Sequence, residues 1–192
     1  MQVKVEGVKQ TRKAIRLFAP DLSKALDKEL RRVLKPLTAK ARGFVPSSAP
    51  LSGWAKGEWF PYSASSIKSG IGFSTKPGPT SKYGFTSNAR IFNKSVAGAI
   101  YEQAHTPQPW VGPSAGGASK GVSRSRNPNA GQQFIEAMPP RIETKRGKGR
   151  LIFKAWSQDQ SKVSGAAIKA IDTATREFNK RAETTTFTRG AK

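Results

Sequence analysis

Residues 152–182 read IFKAWSQDQSKVSGAAIKAIDTATREFNKRA, and within them Ile152, Trp156, Val163, Ala166, Ala167, Ala170, Ile171, Ala174, Phe178 and Ala182 recur at helical intervals. Side chains at that spacing share one face of a 3.6-residue period, so the stretch predicts one amphipathic helix. At 1.5 Å per residue it is about 45 Å long if unbroken. Its small apolar residues suit close packing against another helix. Gly165 costs about 1 kcal/mol relative to alanine inside a helix and marks a bend or a tight contact. Beyond it, residues 184–192 are polar and are predicted to be a flexible C-terminal tail.

The second long helix lies upstream, where Leu22, Leu26, Leu30, Val33, Leu37, Ala41 and Phe44 draw another apolar stripe. Lys24, Lys28, Arg31, Arg32, Lys35, Lys40 and Arg42 occupy its other faces, relieved only by Asp27 and Glu29. The solvent side of this helix is therefore basic. Asp21 is the expected N-cap, Pro36 is expected to kink or split the helix, and Val45-Pro46 ends it. Ahead of it, Val3 and Val5 alternate with polar neighbours as a short strand, and residues 8–18 fit a loose short helix.

Between the two helices the pattern changes. Residues 47–66 are rich in Ser, Gly and Pro yet carry Trp54, Trp59, Phe60 and Tyr62, more aromatic surface than a solvated loop holds. Ile67, Ile71 and Phe73 mark a strand, and the apolar run from Ala89 to Tyr101 reads as its antiparallel neighbour. Residues 132–138 predict a short helix through Phe134, Ile135 and Met138, closed by Pro139-Pro140. The expected class is α+β: a small antiparallel β-sheet packed against two long helices, with long basic loops. Residues 1–183 form a single domain, and the Gly/Ser/Pro/Asn loop 106–131 is mobile.

Charge and composition narrow the chemistry. The 192 residues include 34 Lys and Arg against 12 Asp and Glu, a formal net charge of +22. Such a field attracts polyanions, whether nucleic acid or acidic protein neighbours. The cations expected to meet them are Lys120, Arg124 and Arg126 in the first basic loop, and Lys145, Arg146, Lys148 and Arg150, beside Arg141, in a second cluster. Aromatics are not interleaved with either group, so a single-strand stacking groove is not indicated. The absence of cysteine removes disulfides and thiolate chemistry, and one histidine, His105, leaves almost no imidazole metal chemistry. His105 has no nucleophile-elbow pattern to serve. The acids stand singly; Glu102 and Glu136 read as a strand-end and a helix-surface charge. No catalytic group, metal or cofactor is expected. The first residues lack the apolar run of a signal peptide, and no stretch approaches the ~18 apolar residues of a membrane span. A soluble chain made in a cytoplasm is the expectation.

Several motifs, taken in order, carry a resemblance: Ala41-Arg42-Gly43-Phe44-Val45-Pro46, Pro50-Leu51-Ser52-Gly53-Trp54, the strand region 67–74, Ala99-Ile100-Tyr101-Glu102-Gln103-Ala104, and Gly149-Arg150-Leu151-Ile152-Phe153-Lys154-Ala155-Trp156. Their succession resembles the neck or tail-completion family of long-tailed bacteriophages, over most of the chain. The loop 112–131 departs from the plainer family pattern. The resemblance implies a structural virion protein that assembles as a homo-oligomeric ring at the head-tail junction, with no catalytic residues. Its implied partners are other copies of the chain, head-closure or stopper proteins, tail terminator or tail-tube proteins, and packaged double-stranded DNA. Within that reading Leu51, Ser52, Gly53, Trp54, Trp59 and Phe60 are the expected interface. A free, non-specific nucleic-acid-binding protein is the alternative, and a hydrolase built on His105 ranks third.

Overall fold

The computed structural model describes residues 13, 15–17, 19–56, 60–76, 78, 82, 87, 89–113, 122, 123, 125–144 and 147–189, with backbone alone at 144 and 182–189. In chain order the elements are α1 (Pro20–Gly43), α2 (Ser52–Ala55), α3 (Ala64–Gly70), β1 (Ile71–Ser74), β2 (Arg90–Asn93), α4 (Val96–Gln103), α5 (Ala130–Glu136), β3 (Ile142–Thr144), β4 (Gly147–Gly149) and α6 (Ile152–Arg189). The class is α+β, and among the described residues the β content lies in two separate two-stranded sheets, β1-β2 and β3-β4, where the sequence predicts one. The chain divides into two compact units. One takes the residues up to Leu37, Phe73–Ile91 and those from Asp159 onward; the other takes Thr38–Gly72 and Phe92–Gln158.

The first unit is built on the two apolar stripes. Leu26 and Leu30 of α1 bury against Ala174, with Ala167, Ala170 and Ile171 packed around them. Ile15, Ala19 and Leu22 form a second cluster that Phe178 covers. Early residues of α1 thus meet late residues of α6, so these segments run antiparallel, and the alanines of one helix make room for the leucines of the other. Arg181 Nη1 lies 2.7 Å from Asp21 Oδ2 on the exposed edge of this pair. That bond holds the Asp21 carboxyl below its ordinary value.

Several expectations for the long helices need correction. Pro20, not Asp21, opens α1, because a proline at the first helical position gives up an N–H that has no partner in any case. Asp21 sits in the first turn, where its charge suits the positive end of the helix dipole. Pro36 does not split α1, which runs as one element of 24 residues. Leu34, Leu37, Thr38 and Ala41 are all buried around it, and that burial outweighs the roughly 3 kcal/mol a mid-helix proline costs. A Cβ added at Gly165 would meet nothing within 4 Å, so no tight contact explains the glycine. α6 continues to Arg189 through the threonines from 184 onward, since extending a helix is far easier than starting one. The strand expected at residues 1–6 lies outside the described residues, and of the helix expected at 8–18 Lys13 and residues 15–17 are helical.

The second unit gathers Ala41, Val45, Ile67, Ile71, Tyr101, Leu151 and Ala155 in its core. Arg42 donates through Nε and Nη2 to the Ile71 carbonyl at 3.0 and 2.6 Å. Two segments expected as strands are helices here, for one reason: a serine caps each of them. Ser63 Oγ accepts from Ser66 N at 3.3 Å and starts α3, which takes Ile67. Ser95 Oγ accepts from Gly98 N at 3.2 Å and starts α4, leaving only Arg90–Asn93 extended. The second basic cluster, read as loop, includes the antiparallel hairpin in which Ile142 pairs with Gly149 and Thr144 with Gly147.

α4 and the start of α6 are joined by two buried charges of opposite sign, Glu102 and Arg150, each 5% exposed. Glu102 Oε2 accepts from the N–H groups of Leu151 at 2.5 Å and Ile152 at 3.3 Å, and Oε1 accepts from Phe153 N at 3.1 Å. These are donors that a helix start leaves without intrahelical partners, so the carboxylate caps α6 from a distant helix. Arg150 closes the other end: Nη1 donates to the carbonyls of Tyr101 at 2.9 Å and Ala104 at 2.8 Å, and Nε donates to Pro139 O. A Cβ on Gly149 would stand 2.1 Å from Glu102 Oε1, so glycine is what admits the carboxylate. Among the described residues no helix is long and apolar enough to cross a membrane.

Removing this cap has a measurable consequence. Glu102→Ala strands buried N–H groups and should destabilise the chain by about 3 kcal/mol, a fall in Tm of about 6–12 °C for a chain of this size. Burial holds the Glu102 carboxyl above its ordinary 4.5 in the folded chain, although the backbone N–H groups of Phe153, Leu151, Ile152 and Arg150 pull the other way. The folded protein therefore keeps a proton that the unfolded chain releases, and this contribution to stability declines as pH rises from 4.5 through the folded value. Thermal melts across that range should show the decline in the native chain and its absence in Glu102→Gln.

Candidate functional site

The expected interface begins in the turn after α1. Trp54 ends up at the centre of a small aromatic cluster because its backbone and side chain are both tied. Its N–H donates to Leu51 O at 2.9 Å, its carbonyl accepts from Tyr62 N at 3.1 Å, and its indole Nε1 donates to Phe60 O at 3.0 Å. Its ring meets Tyr62 edge-on with centroids 5.1 Å apart and Phe134 of α5 at 4.9 Å. Tyr62 donates its hydroxyl to Pro46 O at 2.6 Å, and burial, with a further push from Tyr101, raises that hydroxyl to about 12. Trp54 is therefore half-buried by its own chain and clamps the turn from within.

Phe60 faces the other way. Its side chain is 54% exposed, and its backbone sits at φ 50°, the one positive φ outside glycine among the described residues. A left-handed conformation costs an L-residue about 1–2 kcal/mol, and strain of this kind persists only where surrounding contacts impose it. The Trp54 indole bond to the Phe60 carbonyl is such a contact. The outcome is a large apolar ring held out toward solvent; of the other expected interface residues Ser52 and Gly53 are exposed and Leu51 is half-buried. Trp59 lies outside the described residues.

Further exposed apolar surface stands at Trp110 and Val111, a pair not singled out from the sequence. The two ends of the first basic loop are tied there. Trp110 Nε1 donates to Ser125 O at 2.9 Å, Val111 N to Ser123 O at 3.0 Å, and Ser123 N to Pro109 O at 2.8 Å. Arg126 is exposed directly after this closure, while Lys120 and Arg124 lie outside the described residues.

The second basic cluster separates into members with different fates. Lys148 is exposed on β4 and pairs with Glu143 at 2.7 Å. Lys145 and Arg146 lie outside the described residues. Arg141 donates from Nη1 to Gln103 O at 3.3 Å. Arg150 is buried with its guanidinium turned onto three backbone carbonyls, so it is not a surface contact for an anion but the structural partner of α4. Its role was hidden because those carbonyls stand up to 49 residues away in sequence.

Glu102 and His105 also take definite places. Glu102 is neither exposed nor at a strand end; it is the cap of α6. His105 is exposed, and its Nδ1 makes a local contact of 3.1 Å with Gln103 O. Glu136 is an exposed helix-surface charge that accepts from Gln132 Nε2 at 2.7 Å. Among the described residues no group of three or more His, Cys, Asp or Glu stands close enough to hold a metal ion. No protein-family model, no curated protein and no solved structure matches this chain.

The contrast between the two aromatics sets an expectation. Trp54→Ala should cost about 3 kcal/mol, because it empties the cluster shared with Tyr62 and Phe134. Phe60→Gly should leave stability within about 1 kcal/mol of the native chain, since glycine adopts the left-handed conformation freely and no buried ring is lost. Chemical denaturation of both variants measures the difference directly.

Proposed function

We propose that this chain is a non-enzymatic structural protein of a tailed bacteriophage, one that forms a homo-oligomeric ring at the junction of head and tail. It is made in the bacterial host cytoplasm and ends in the virion. The resemblance in the order of its motifs supports this reading. The observation that carries it is Phe60, an exposed aromatic ring on a strained turn clamped by Trp54. A protein holds strain where it fixes a contact in advance, and a rigid aromatic ring is a common anchor of an interface between proteins.

On this reading Phe60, with Leu51, Ser52 and Gly53, meets a neighbouring subunit or the next layer of the junction, such as a head-closure, terminator or tail-tube protein. Closed cyclic symmetry repeats the same contact around the ring, so a modest loss per subunit is multiplied. Trp54 acts one step back, as the residue that positions Phe60.

Complementation of a phage lacking this chain tests the reading. Phe60→Gly, which keeps the fold, should lower the yield of joined, tailed particles at least tenfold, matching a hot-spot loss of about 2 kcal/mol or more. Heads and tails should accumulate separately. A normal yield of tailed particles from a stably folded Phe60→Gly chain would contradict it.

A further inference from the structure

We propose that the face of α1 bearing Lys24, Lys28, Arg31 and Lys35 is a binding surface for the phosphate backbone of duplex DNA. The positions are spaced by four, three and four, so at about 100° per residue they fall within an arc of about 60° on one side of the helix. All four are exposed. The buried residues Leu22, Leu26, Leu30, Leu34 and Leu37 lie on the opposite side of the same helix. The stripe is about 16 Å long at 1.5 Å per residue, a length over which B-form duplex presents about ten phosphates.

The cations are available. Arg32 leans to Glu29 at 3.6 Å, but none of the four stripe residues has an ion-pair partner among the described residues. Four like charges on adjacent turns repel one another, and a bound polyanion turns that repulsion into attraction.

Two features select a phosphate backbone over an acidic protein face. Protein interfaces are anchored by buried aromatic or aliphatic side chains and are depleted in lysine. None of the large exposed hydrophobics of the described residues lies on α1, and three of the four stripe residues are lysines. Phosphates ask only for cations at a matching spacing, with no apolar anchor. This site is distinct from the basic loops, and it is a property of the isolated chain, so it does not rest on the head-tail reading.

Binding of the full chain to a mixed-sequence duplex of about 30 base pairs, followed by fluorescence anisotropy over a range of NaCl concentrations, tests the proposal. Each phosphate contact contributes about 0.9 to the slope of log K against log salt. The variant K24Q/K28Q/R31Q/K35Q should therefore lose about 3.6 from the slope, four contacts at about 0.9 each. A control with the same loss of charge at exposed Lys56, Lys68, Lys76 and Lys94, each changed to Gln, should keep most of it, and K24R/K28R/K35R should keep all of it. Circular dichroism melts establish that each variant is folded. Equal loss of slope in the stripe variant and the control would overturn the proposal, because net charge alone would then explain binding. So would failure of the native chain to bind the duplex, or binding of poly-glutamate through the same four residues as tightly as the duplex.

Discussion

The carboxylate of Glu102, buried against the first N–H groups of α6, is the constraint on which the second unit depends. A helix of 38 residues begins at that point, and its first donors have no partners of their own. Glu102 supplies them from α4 through both of its oxygens, while Arg150, at the threshold of α6, satisfies carbonyls at the end of α4. Each helix end thus completes the other. The β3-β4 hairpin is held to the same place, because Gly149 leaves room for the carboxylate and Arg150 follows it directly.

Burying a charge of each sign is costly, and a well-packed apolar pair of similar volume often gives equal or greater stability. What the pair provides is definition. The carboxylate finds its three donors only when α6 starts at Ile152, and the guanidinium reaches its carbonyls only when α4 ends near Gln103. A shift of one residue would leave both charges buried without partners. Trp54 works in the same manner on a smaller scale: its indole bond fixes one backbone carbonyl, and so decides where Phe60 points.

Much of this was legible in the sequence, and the parts that were not share a physical cause. The stripes of α1 and α6 were plain because long amphipathic helices repeat their signal over many turns. The α+β class followed from them and from the short apolar runs between. Ile67 and residues 96–101 were read as strand because a short apolar run has no period of its own, and the deciding signals were single serines at positions 63 and 95 that satisfy helix N–H groups. Glu102 was legible as an isolated acid and Arg150 as one cation of a cluster. Their roles as reciprocal caps on backbone groups were not, because each joins segments far apart in the chain. Trp54 stood out as an aromatic among Gly and Pro, but its partner Phe134 lies in a helix whose only signal was local, so the support that Trp54 gives its neighbour was not readable.

The proposed place of this chain in a phage particle draws the two surfaces together in one functional picture: a strained aromatic turn for protein neighbours and a cationic helix face for a polyanion. An exposed aromatic ring and a solvated charged face make different demands on a partner, and a protein set among several neighbours has use for both. Cryo-electron microscopy of purified particles, with the neck reconstructed without imposing the symmetry of the head, tests this placement most directly. The expected result is a closed ring of this chain between head and tail with the Phe60 turn buried against an adjacent protein. Particles whose neck and tail density contains no copy of the chain would contradict it.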